Sequence, residues 1–199
     1  MNLDLLLAAS LFAGVSSITP GPNNTMILAS GVNFGLRRSL RHLAGITLGF
    51  GFMLIMVGLG LHQVLETYPT VLLTLRWVGG AYLVWLAYKL ATAAPPSPHA
   101  ALIAHPMGFW AAAAFQWVNP KAWVMAMTAM STYLPGEAGP LQVLLLAGLF
   151  VLINAPCVTC WAAFGSSMRQ LLQDPVRLRI FNISMAVALI GSLYPLLAP

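Results

Sequence analysis

Long apolar blocks alternate with short polar gaps along the whole chain. A bilayer core about 30 Å thick needs roughly 20 apolar residues per helix. Six blocks meet that length: 4–30, 42–62, 69–90, 108–134, 140–165 and 178–197. The pattern predicts an all-α polytopic membrane protein of six transmembrane helices, one transmembrane domain over residues 1–199. The third gap carries Pro95-Pro96-Ser97-Pro98 and reads as an extended, Pro-rich linker over 91–107. It separates a first set of three helices (1–90) from a second (108–199). A three-span unit that recurs has opposite orientation the second time, so related halves would form an inverted repeat.

Two blocks are interrupted where helix breakers are unwelcome. The first holds Ile18-Thr19-Pro20-Gly21-Pro22-Asn23-Asn24, and the fourth holds Val118-Asn119-Pro120-Lys121. Prolines and glycine disrupt the helical ladder, and in lipid the freed backbone groups must be satisfied by protein or cavity water. A broken helix with polar side chains at its break is a candidate binding site. The first and fourth helices are therefore expected to be broken at corresponding places of the two halves. Asn154-Ala155-Pro156-Cys157 in the fifth block suggests a third polar break.

Composition supports the membrane assignment: 59% of residues are hydrophobic and 7% charged, against about 45–50% and about 25% in soluble domains. The net charge of +5 does not call for nucleic acid, because the basic residues sit in short gaps. Gaps one, three and five hold Arg37, Arg38, Arg41, Lys89, Arg169, Arg177 and Arg179; gaps two and four hold no Lys or Arg. The positive-inside rule then makes the loops at 31–41, 91–107 and 166–177 cytoplasmic, with both termini on the periplasmic side. Asp4 precedes any Lys or Arg, so a positively charged leader is absent and the first block is expected to stay as a spanning helix.

Two basic residues, Arg76 and Lys121, fall inside predicted spans. Arg76 is near enough to a span end to snorkel. Lys121 is at midspan and is expensive there unless it faces protein or water. Two readings of it stand: a cation that meets a substrate carboxylate or changes protonation, or a structural lysine bonded to carbonyls freed in the first helix. Gln116 and Asn154 add amides within reach of the same place. Gly45 with Gly49, Gly58, and Gly79-Gly80 have the look of helix-packing positions. Cys157 and Cys160 have CxxC spacing but no second pair, which favours packing over zinc or redox chemistry. No carboxylate lies deep in a span, and no Walker A motif, metal cluster or catalytic set appears. Neither an enzyme nor a cofactor or metal is expected. A membrane scaffold or sensor subunit, and an ion or metabolite channel, remain the other classes compatible with this pattern.

The Thr19-Pro20-Gly21-Pro22-Asn23 stretch, followed by Gly31, Gly35 and a basic loop, resembles the opening of the LysE/RhtB superfamily. Phe115-Gln116-Trp117-Val118-Asn119-Pro120-Lys121-Ala122-Trp123 is similar to that superfamily's asparagine–proline–lysine motif. The wording is nearest to its cysteine and O-acetylserine exporter branch. The resemblance implies a bacterial inner-membrane exporter of small amino acids or their derivatives, driven by proton antiport, possible also as a homodimer. The expected substrate-binding residues are Asn23, Asn24, Gln116, Asn119, Lys121 and Asn154. Pro20, Gly21, Pro22, Pro120 and Pro156 would shape the breaks. The lack of deep carboxylates favours a neutral zwitterion over a dibasic amino acid.

Overall fold

The computed structural model describes residues 3–61, 67–93, 105–134 and 138–193, apart from the side chains of Pro69, Leu72 and Arg76. All regular structure among the described residues is helical. Helices α1 (Leu3–Ile18) and α2 (Pro22–Phe34) are bent by 53° across Thr19-Pro20-Gly21. Helix α3 (Leu36–Met56) continues as a wider turn over Val57–Leu61. Helix α4 is Pro69–Ala91. Helix α5 (Phe109–Phe115) tightens into a 3-10 turn at Gln116–Val118, and α6 (Pro120–Tyr133) follows. Helices α7 (Pro140–Met168) and α8 (Pro175–Gly191) complete the chain. Leu36–Leu61 and Pro140–Met168 are each long and apolar enough to cross a membrane, and the α1–α2 pair qualifies when taken together.

Both expected interruptions are present, at Thr19-Pro20-Gly21 and at Asn119. Two expectations are corrected. Residues 31–41 are not a loop: α2 runs to Phe34, α3 starts at Leu36, and Gly35 alone joins them. Gly35 has φ +81°, a backbone shape that favours glycine, so the reversal needs a single residue. Arg37, Arg38 and Arg41 are simply the polar first turns of α3; charge ended the apolar block without ending the helix. Pro156 does not interrupt α7, which is continuous from Pro140 to Met168. One proline removes one donor from a long ladder, whereas Pro20 and Pro22 remove two within three residues. The Pro-rich stretch 95–98 and the Arg76 side chain lie outside the described residues.

Helix α7 is the axis of the assembly, flanked by α1, α2 and α3. The close approaches run through small residues. A Cβ on Gly31 would strike the Ala162 carbonyl oxygen, and one on Gly165 would strike that of Leu28, so α2 and α7 touch backbone to backbone. Gly45 and Gly49 do the same for α3 against Phe109 and Ala113 of α5, and Gly79 for α4 against Val118. This is the packing expected where lipid removes any hydrophobic drive between helices. Ala9, Ala13, Phe50, Met53, Ala126 and Phe150 belong to one buried cluster. Outward faces are strongly apolar: Leu7, Leu11, Trp110, Val124 and Leu152 are all exposed, which suits hydrocarbon rather than water.

Candidate translocation site between the two broken helices

The break between α1 and α2 leaves carbonyl oxygens without helical donors. Pro20 and Pro22 have no N–H to offer Ser16 and Ile18 four residues earlier. Side chains take over. The Thr19 hydroxyl donates to the Ser16 carbonyl at 3.0 Å, and Trp161 Nε1 donates to the Ile18 carbonyl at 3.0 Å. Asn24 Nδ2 donates to the carbonyls of both Ser17 and Thr19, each at 2.8 Å. A break at membrane depth is tolerated when its backbone is satisfied in this way.

Lys121 completes the set from the other broken helix. Its Nζ donates to the Thr19 carbonyl at 2.7 Å, the Thr19 hydroxyl at 2.8 Å and the Pro20 carbonyl at 3.3 Å. These three bonds use all three ammonium donors. They also set a cation at the carbonyl end of α1, where the helix dipole favours it. The lysine stem passes over Gly21, where a Cβ would stand 2.7 Å from Lys121 Cδ. That close approach explains a glycine between two prolines.

The Asn-Pro-Lys sequence has a local logic as well. Asn119 caps α6, its Oδ1 accepting from the Lys121 N–H at 3.1 Å. Pro120 occupies the first helical position, where a missing donor costs nothing. Lys121 is then fixed at the start of the helix, aimed across at α1. Trp123 Nε1 donates back to the Trp117 carbonyl at 2.8 Å and braces the same turn.

Farther along the two helices, Asn23 and Gln116 form a reciprocal amide pair. Asn23 Nδ2 donates to Gln116 Oε1 at 2.8 Å, and Gln116 Nε2 donates to Asn23 Oδ1 at 3.2 Å. Gln116 is fully buried and also donates to the Ala112 carbonyl. The contacts Phe12–Tyr133, Thr19–Lys121 and Asn23–Gln116 fix an antiparallel register between the broken helices. Asn154 reaches in from α7, its Nδ2 donating to Ser17 Oγ at 3.1 Å. Its Oδ1 is buried and has no protein partner among the described residues.

Ser17, Asn23, Asn24, Asn119, Lys121 and Asn154 together line a cavity of about 20 Å³. That is room for one water and far too little for an amino acid. A second cavity, about 1050 Å³, lies on the other side of α2 and is lined by Met26, Ala29, Asn33, Arg38, Lys89 and Arg169, among others. Asn24, at the small cavity, and Met26 and Asn33, at the large one, lie on nearly opposite faces of α2, so that helix runs between the two spaces.

Of the six residues expected to bind substrate, Asn23, Asn24, Asn119, Lys121 and Asn154 line this small cavity, and Gln116 is joined to it through Asn23. Pro20, Gly21, Pro22 and Pro120 shape its breaks, and Pro156 does not. Three participants escaped the sequence reading: Ser17, Thr19 and Trp161. Only Thr19 carried a signal, its place inside the proline-rich stretch; serines and tryptophans are ordinary in apolar helices. No group of His, Cys, Asp or Glu among the described residues is arranged to hold a metal. Cys157 and Cys160 are free thiols.

The model of the LysE type translocator family matches residues 15–192. The cysteine/O-acetylserine efflux protein of Escherichia coli K12 is 35% identical over 191 residues, 96% of each chain. The protein of the same name from Klebsiella pneumoniae is 34% identical over 172 residues, covering 86% of this chain and 87% of that one. No solved structure matches.

Proposed function

Because the chain belongs to the LysE type translocator family, we propose that it exports small neutral amino acids or their derivatives from cytoplasm to periplasm by proton antiport with alternating access. Family membership makes it an amino-acid exporter of the membrane and not an enzyme. Cysteine and O-acetylserine are the first substrates to test, since the E. coli and K. pneumoniae relatives carry those names.

The observation that carries this reading is the triple bond set of Lys121 on the end of α1. A midspan ammonium held by backbone carbonyls is a group that a substrate carboxylate competes for. In exchange, the substrate ammonium takes the Thr19 and Pro20 carbonyls that Lys121 releases, and Asn154 Oδ1, which has no partner among the described residues, is a further acceptor. The 20 Å³ cavity must widen for this to happen. Swinging α2 about its two ends, Thr19-Pro20-Gly21 and Gly35, would join it to the 1050 Å³ space. Arg38, Lys89 and Arg169 at that larger space come from the positively charged gaps, which supports a cytoplasm-facing conformation.

Packing supports six spans in two inverted halves, with α1–α2 and α5–α6 each counted as one broken span. The first span packs on α7 as the fourth packs on α3; α3 pairs with α7 and α4 with α8. A two-fold axis in the membrane plane would exchange these contacts. The cycle then moves substrate outward through the site as protons move inward, with Lys121 the ionisable group at its centre.

The test is efflux from membrane vesicles loaded with cysteine, O-acetylserine, serine, threonine and lysine under an imposed pH gradient. Uphill, uncoupler-sensitive efflux of neutral zwitterions and none of lysine is the expected result. Absence of efflux for every compound would leave a scaffold or sensor; flux only down a gradient, insensitive to uncoupler, would leave a channel.

A further inference from the structure

The large cavity behind α2 holds none of the midplane binding residues, yet it has the size of a ligand site. Its charged lining is of one sign. Arg38 comes from α3, Lys89 from the end of α4 and Arg169 from just past α7, and among the described residues no Asp or Glu lines it. Its other titratable groups are His42 on α3 and His105 on the approach to α5. A concave, apolar-walled space with one sign of charge concentrates ions of the other sign.

His42 supplies the second observation. It is 2% exposed, and neither ring nitrogen has a partner among the described residues. Imidazole always presents at least one N–H donor, and in its neutral form one acceptor beside it. Leaving both unpaired in a buried position is costly. The α2–α3 hairpin sets Ser30 against Ser39 at 2.8 Å and gathers Ile27 with Ile46 in one cluster. His42 lies on α3 between those contacts, on the face it shares with Ser39 and Ile46, and so faces α2. Any swing of α2 that joins the two cavities also uncovers the ring.

We infer that this cavity is a loading site for a carboxylate-bearing amino acid, separate from the midplane site. Lys89 and Arg169 draw the carboxylate in from the cytoplasmic side. His42 meets it as α2 moves, its N–H donating to the carboxylate. A free dibasic amino acid is repelled by the same cations. The inference deepens the export reading and rests on it for the direction of loading.

The experiment uses reconstituted vesicles of known orientation and labelled L-cysteine or O-acetyl-L-serine presented to the cytoplasmic face. Lys89→Gln with Arg169→Gln should raise the half-saturating concentration about fivefold at low salt, and the difference should shrink at high salt as screening sets in. His42→Phe should raise it about tenfold at either salt, and His42→Gln, which keeps a donor and an acceptor, should restore most of it. Maximal rates should stay within about twofold of wild type, since the midplane machinery is intact. Unchanged half-saturation in the double variant or in His42→Phe overturns the loading site. Should His42→Phe fail to insert, imidazole ¹⁵N shifts of His42 in the wild-type protein titrated with L-cysteine decide the matter: movement supports the site, none overturns it. The same titration separates the two claims. Wild-type protein that exports nothing but shows the shift keeps the loading site and loses the export reading.

Discussion

Lys121 and Thr19 are held together by two hydrogen bonds from one ammonium, 2.7 Å to the Thr19 carbonyl and 2.8 Å to its hydroxyl. They belong to different broken helices, 102 positions apart in the chain. The bond set ties the start of α6 to the end of α1, so neither break can change shape without the other. The site is thus one mechanical unit built from two distant parts of the sequence.

Replacing Lys121 with Ala should abolish uphill export and also cost stability. Two carbonyls, at Thr19 and Pro20, lose a charged donor, worth about 1.5–3 kcal/mol for a hydrogen bond of this type. Lys121→Arg should keep much of the stability, because donors remain, while lowering export through altered geometry. Thermal melting in detergent and vesicle efflux measure the two effects. Full-rate export by Lys121→Ala would remove the lysine from the mechanism.

Gly21→Ala and Gly31→Ala should fail differently. At Gly21 the new methyl meets the flexible Lys121 stem. The stem can shift, so export should fall about tenfold while folding falls by under about 1.5 kcal/mol. At Gly31 the methyl meets the backbone of Ala162, which cannot step aside. Destabilisation of about 1–3 kcal/mol is expected there, with poor membrane yield. Equal melting temperatures for the two variants would contradict the packing argument.

Asn23 and Gln116 should be energetically coupled. Asn23→Ala strands the buried Gln116 amide, Gln116→Ala strands the half-buried Asn23 amide, and the double variant strands neither. A double-mutant cycle on stability should therefore return a coupling of about 1 kcal/mol or more. Additive effects would mean that the pair does not persist in the membrane.

Trp161→Phe isolates the backbone role of the indole. It removes the donor to the Ile18 carbonyl and keeps most of the ring. A loss of about 1–3 kcal/mol is expected from the unpaired carbonyl, with no change in which amino acids are exported. A shift in substrate preference would instead put Trp161 at the substrate.

Much of this was legible before any coordinates. Hydropathy located the helical stretches, because a helix in lipid must be apolar over its length, but it missed the polar first turns of α3 from Leu36. Pro20, Gly21 and Pro22 announced the first break, and Asn119-Pro120 the second, because prolines subtract donors wherever they stand. Residues 31–41 were misread because hydropathy reports polarity and not backbone shape; arginines serve a helix end as well as a loop. Pro156 was misread for the converse reason, since one missing donor bends a ladder without ending it. Ser17 and Trp161 were invisible: their part is set by which groups of α1 the helix α7 happens to pass, and only three-dimensional packing reveals that. The large cavity was equally hidden, since its cations looked like no more than orientation signals.

The Asn23–Gln116 pair carries a consequence for selectivity. Each amide gives one hydrogen bond and receives one, so the pair is a closed exchange. A visitor that offers an acceptor and a donor on adjacent atoms can part the two and restore every bond. A visitor with only an anion, or only a cation, leaves one amide half paired in a dry place. Parting α2 from α5 at this pair is thus without loss only for a visitor that brings a donor and an acceptor together.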